Sequence, residues 1–122
     1  MDETRIETEA LMRANLLDVF GQRDPAARRA AAERLFGEDV VFGDEEETTH
    51  GVPALLERAG AILDRAPAEA VFAADSPVYG TGEQAALTWT FGVPGAQPLA
   101  RGIDLATIAG GRITRLTTLL AR

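Results

Sequence analysis

The apolar residues of this chain keep a helical spacing up to about residue 66 and a strand spacing from residue 70 onward. An amphipathic helix and a half-buried strand each need a second surface to cover their apolar side, so a chain that makes helices first and strands afterwards must lay one set on the other. At 122 residues, 46% of them apolar, there is material for one core and one domain, 1–122.

The helical part divides at its punctuation. Thr4 and Glu7 have the spacing of a capping box, Ile6, Ala10, Leu11, Ala14, Leu17 and Phe20 recur as a stripe, and Gly21 ends the first helix. Asp24-Pro25 starts a second helix through Leu35 and Phe36, and Gly37 stops it. Val40-Val41-Phe42 is a short β-type run, and Asp44 to Glu47 is too acidic for a core and reads as a loop. Thr48-Thr49-His50-Gly51 leads into a third helix with Pro53 in its first turn, buried along Leu55, Leu56, Ala59, Ile62 and Leu63 and closed by Pro67.

The remainder predicts strands over Ala70–Ala74 with Pro77–Tyr79, Gln84–Val93, Leu99–Ala109 and Arg112–Leu120, with turns at Pro94-Gly95 and Gly110-Gly111. The order is ααβαββββ, an α+β fold. Strands joined by short turns pair antiparallel, and a long curved antiparallel sheet with three helices on its concave side forms a cone around an apolar cavity.

Charge and composition narrow the partners. A net charge of −7 excludes a nucleic-acid binder and an anionic membrane surface, but not an apolar small molecule. The chain lacks cysteine and lysine, which removes thiolate and Schiff-base chemistry. One histidine and no EF-hand spacing in Glu45–Glu47 predict no metal, and no motif calls for a cofactor. The charged segment Met1–Arg13 lacks a signal-peptide h-region, so a cytoplasmic location is expected.

Three residues could carry chemistry. Asp44 continues the face of Val40 and Phe42; among apolar side chains its pKa would rise and make it a base, whereas in the acidic loop it would be solvated. Asp104 interrupts an apolar strand on the face of Ala106 and Ile108, with Leu116, Thr118 and Leu120 on the next strand; there it is either a functional buried acid or the partner of Arg101, Arg112 or Arg115. His50 is a general base or a structural residue at a helix start. Trp89, alternating with Leu87 and Phe91, and Tyr79 are core packing or pocket wall.

Three segments carry a resemblance: Leu35 to Asp44 (LFGEDVVFGD), His50-Gly51, and Gly102-Ile103-Asp104 with Gly110-Gly111-Arg112-Ile113. In this order they resemble the NTF2-like superfamily, in its SnoaL-like and ketosteroid-isomerase-like branch. The resemblance implies a cofactor-independent acid–base enzyme acting on an apolar carbonyl compound, an isomerase or polyketide-cyclase-like protein working through an enolate. Asp44 would take the base's position and Asp104 that of the acid. Leu16 stands where the isomerases carry a tyrosine. Phe36, Phe42, Tyr79, Trp89, Ala106, Leu116, Thr118 and Leu120 would line the pocket with Leu16. The fold hosts many activities. The alternative is a non-catalytic module that binds a small molecule or dimerises, with Ile103, Leu105, Arg115, Thr117 and Leu119 on an outward face suited to a homodimer through the sheet. A third reading, an epoxide hydrolase, needs a water held by Asp, Asn and Arg, and Arg101 and Asp104 lie on opposite faces of one strand.

Overall fold

The helices all lie before residue 70, with two strands among them, and only strands follow. A computed structural model describes residues 3–122, with side chains from residue 7 onward. Helix α1 (Glu3–Ala14) runs on as a π-helical segment (Asn15–Phe20) before Gly21, and α2 spans Pro25–Leu35. Strands β1 (Phe36–Gly43) and β2 (Thr48–His50) precede α3 (Val52–Asp64). Then follow β3 (Val71–Ala74), β4 (Tyr79–Gly80), β5 (Gln84–Gly92), β6 (Ala100–Ala109) and β7 (Arg112–Leu120). The Thr4 cap and Ile6 lie outside the side chains described.

Local chemistry explains the boundaries. The Asp24 carboxylate accepts the Ala27 amide N–H at 2.9 Å, which caps α2 with Pro25 in its first turn. Gly51, at φ 88°, makes the sharp entry into α3, and Gly110 and Gly111, at φ 60° and 74°, make the tight β6–β7 turn. Arg112 donates to the carbonyls of Glu33, Arg34 and Phe36 and so ties the last strand to the end of α2.

The sheet order is β2-β1-β7-β6-β5-β3, with β4 also on β5. The three pairings expected of consecutive strands, β3–β5, β5–β6 and β6–β7, are antiparallel, but β1 lies parallel to β7, so the sheet is mixed. The reason is topological: α2 delivers β1 to the edge of β7 in the same direction, and its partner on the other side is the new strand β2. The segment Thr48–His50, expected to lead straight into the helix, is that strand. Register shifts in β1 and in β6–β7, marks of bulging, bend the sheet around the helices.

Along β5, β6 and β7 alternate residues are buried against the helices, among them Leu87, Trp89, Asp104, Ala106 and Leu116. The stripe of the first helix is rotated from the expected one: Met12, Asn15, Leu16, Val19 and Phe20 are buried, while Leu17 is 48% exposed and Ala10 faces out. The buried residues, Thr8, Met12, Asn15, Leu16, Val19 and Phe20, still recur at three- and four-residue steps, but this side carries two polar residues, so a count of apolar residues alone selects the neighbouring face. No described helix is long and apolar enough to cross a membrane.

Candidate active site

Between the concave face of the sheet and the π-helical segment lies a cavity of about 250 Å³. Leu16, Phe20, Phe42, Trp89, Phe91 and Leu120 give it an apolar wall, and Asp44, Glu45, Glu46, Arg58 and Arg65 ring one part of it. Asp104 and Thr118 are its remaining polar lining.

Asp104 stands in the middle of β6, opposite Leu87 on one side and Thr118 on the other. It is 4% exposed. Its Oδ1 accepts the Thr118 hydroxyl at 2.8 Å and the Trp89 Nε1–H at 3.0 Å; its Oδ2 accepts the Asn15 Nδ2–H at 3.3 Å. All three donors are uncharged. Burial therefore wins: it pushes the carboxyl up to about 6, against the opposing pull of the Thr118 and Trp89 hydrogen bonds. The alternative of an ion pair is not realised. Arg101 lies on the outer face 3.9 Å from Asp75, and Arg112 is spent on α2.

The indole reaches Asp104 because Gly102 lies opposite Trp89 in register. A Cβ at position 102 would come 2.5 Å from Trp89 Cζ2, so only glycine leaves room for the ring. That gives the Gly102-Ile103-Asp104 segment a mechanical meaning.

Asp44 has the opposite surroundings. It closes the β1–β2 turn, its Oδ1 accepting the amides of Glu46 and Glu47 at 2.9 and 3.0 Å. Its Oδ2 accepts Arg58 Nε–H at 2.8 Å, and both side chains are 9% exposed. Burial acts to raise its pKa, but the Glu47 amide, Arg58 and the Glu46 amide together outweigh it, and the net direction is downward. The expected desolvated base is thus a stabilised carboxylate, because a cation and two N–H groups do the work water would have done. Arg58 also donates to Glu46 at 3.0 Å.

The other expected residues divide. Leu16, Phe42, Trp89, Thr118 and Leu120 line the cavity with Asp44 and Asp104. Ala106 and Leu116 face the same way but are packed into the core beyond it, and Phe36 lines a separate groove with Pro53 and Arg112. Tyr79 is 62% exposed on β4, so it does not replace the missing tyrosine hydroxyl. His50 is exposed on β2 and outside the cavity lining; it is Gly51 whose backbone the turn requires. Asn15 was not singled out by the sequence pattern, although a polar residue beside Leu16 on an apolar helical stripe is the signal that marks it. Among the described residues no three His, Asp or Glu side chains converge to hold a metal ion.

Residues 14–116 match the SnoaL-like domain family. Among solved structures the chain superposes on a candidate isomerase of the SnoaL-like family from Agrobacterium tumefaciens with a TM-score of 0.86 at 18% identity, covering 96% of this chain and 99% of that one. It superposes on a candidate SnoaL-like polyketide cyclase from Jannaschia with a TM-score of 0.79 at 10% identity, over 98% and 89% of the two chains. A de novo designed protein with a curved β-sheet is also similar, with a TM-score of 0.74 at 13% identity over 99% and 88%. These likenesses describe the fold, which evolved and designed chains share. No curated protein matches the sequence.

Proposed function

The chain belongs to the SnoaL-like family, and from that premise we propose that it is a cofactor-independent acid–base enzyme acting on a small apolar carbonyl compound, with Asp104 as the group that moves the proton. The observation that supports this most is the pairing of Asp104's burial with uncharged donors alone, which brings its pKa to about 6, near the range where a carboxyl serves as both base and acid.

In this reading the substrate's apolar body lies against Leu16, Phe42 and Phe91, with its α-carbon at Asp104. The Asp104 carboxylate removes the α-proton, leaving an enolate, and the resulting carboxylic acid returns the proton to another carbon of the enolate system, which is an isomerisation. If the enolate carbon instead attacks a second carbonyl of the same molecule, the acid protonates the new alkoxide, which is an aldol cyclisation. One carboxyl serves both halves, so Asp44 is not needed as a second base.

The test follows from the chemistry rather than from a known substrate. Deuterium exchange at the α-carbon of a panel of cyclic and bicyclic ketones in D₂O, followed by ¹H NMR, should be catalysed by the protein and rise with pH through about 6. Exchange at the buffer rate for the whole panel would remove the catalytic reading and leave the second one, a non-catalytic pocket of the same fold. The epoxide-hydrolase reading has less support, since Arg101 faces away from Asp104 and pairs with Asp75. A homodimer through the sheet is consistent with Leu105 and Leu119, 38% and 49% exposed on its outer face, and sedimentation would test it.

A further inference from the structure

Asn15 is wholly buried, with 0% exposure, as the first residue of the π-helical segment. Its amide does only half of what a buried amide can do. The Nδ2–H donates to Asp104 Oδ2, while Oδ1 has no hydrogen-bond partner among the described residues. A buried polar atom left unpartnered is costly. An asparagine serving packing alone would satisfy both ends, so the single bond to Asp104 is what this residue contributes.

The two oxygens of Asp104 are not equivalent. Oδ1 faces the Trp89 indole N–H, which can only donate, and the Thr118 hydroxyl, which donates as well. A proton placed there would meet an N–H head-on. Among the described residues Oδ2 has a single donor, Asn15.

We propose that Asn15 is the positioning residue of Asp104: it presents Oδ2 as the oxygen that takes and gives the proton, and its N–H sets how readily that oxygen lets the proton go. The inference rests on the reading of Asp104 as a group that gains and loses a proton. Other charges do not substitute for Asn15 in this role. The β1–β2 turn and α3 bring Asp44, Glu45, Glu46, Arg58 and Arg65 to the cavity, where Arg58 pairs with Asp44 and Glu46. The π-helical segment, β3, β5 and β7 bring only uncharged side chains, and on β6 the neighbouring charge, Arg101, points to the outer face. Loss of the Asn15 N–H destabilises the carboxylate and leaves the acid untouched, so the proton is held to higher pH.

Trp89 is the only tryptophan and touches Asp104 directly, so its fluorescence reads the carboxyl without any substrate. A titration of Trp89 emission from pH 4 to 8 should show a transition in the wild-type protein that Asp104→Asn abolishes. In Asn15→Leu, which keeps the branched shape but removes the N–H, the midpoint should rise by about one pH unit, the size of one hydrogen bond to a charged group. Asn15→Ser, too short to reach Oδ2, should move it the same way if the leucine variant does not fold. The pH profile of ketone exchange should shift by the same amount. A folded variant with the wild-type midpoint, whatever its exchange rate, would overturn the inference. If Trp89 titrates through Asp104 and shifts in Asn15→Leu while no ketone exchanges, the catalytic proposal fails and the positioning role stands.

Discussion

Asp44 and Asp104 are both aspartates facing one cavity, and the fold gives them opposite chemistry. Asp44 sits at the end of β1, held by Arg58 and by two amides of its own turn. Asp104 sits at the centre of the sheet, held by an indole, a hydroxyl and a carboxamide. One carboxyl is driven below its ordinary range and the other up to about 6. What separates them is the charge of the donors. A guanidinium replaces the lost hydration of a buried carboxylate with opposite charge; neutral donors replace only part of it. Burial alone, the quantity a hydrophobic pattern suggests, does not tell a base from a salt bridge.

The largest test of that contrast is catalytic. Asp104→Asn should lower ketone exchange by roughly 10³-fold, within the usual range for a lost acid–base group, whereas Asp44→Asn should stay within about threefold of wild type. Equal losses in the two variants would erase the distinction.

The second test is thermodynamic, and the two aspartates should pull stability in opposite directions. Because folding raises the Asp104 pKa from 3.8 to about 6, the native state binds the extra proton between those values, and stability falls as pH rises from about 4 to 6, by about 3 kcal/mol in all. Denaturant unfolding across this range should show the decline in wild type and a flatter curve in Asp104→Asn. Asp44, whose pKa folding lowers, lends stability that is complete above the ordinary carboxylate range and is lost as pH falls below about 4.

A third test acts through Trp89. Gly102→Ala forces a Cβ against the indole and the Leu119 carbonyl, at 2.5 and 2.7 Å, and should cost about 2 kcal/mol while blunting the response of Trp89 fluorescence to Asp104 ionisation. Stability and fluorescence unchanged would show that the indole position does not depend on that glycine. The smallest effect belongs to the mouth of the cavity. Arg58→Met should cost about 1 kcal/mol at pH 7 and raise the Asp44 pKa, read by NMR titration, with Asp104 unmoved.

Much of the fold was legible because it rests on local rules. The Asp24-Pro25 cap, the Gly110-Gly111 turn and the period-two runs of β5, β6 and β7 fall where the pattern placed them. The parallel partnership of β1 with β7 was not legible, since nothing near Val41 in the chain encodes Arg115 as its neighbour. Nor was the strand at Thr48–His50, which exists through its pairing with β1. The rotated stripe of the first helix escaped an apolar count because its buried side carries two polar residues, Thr8 and Asn15.

For the site, the sequence alone determined that Asp104 had to be unusual: a carboxyl in the middle of an apolar strand has no inexpensive way to be buried. The alternation of β6 also put it on the face of Ala106 and Ile108, while leaving open whether it is buried there or paired with an arginine. Only the tertiary structure decided what the carboxyl meets there. Asn15 is 89 residues away along the chain, Trp89 and Thr118 are on neighbouring strands, and Arg58 reaches Asp44 from α3. Proton affinity depends on distances of about 3 Å between groups distant in sequence, and those distances come from packing helices on a curved sheet, not from the spacing of residues along the chain.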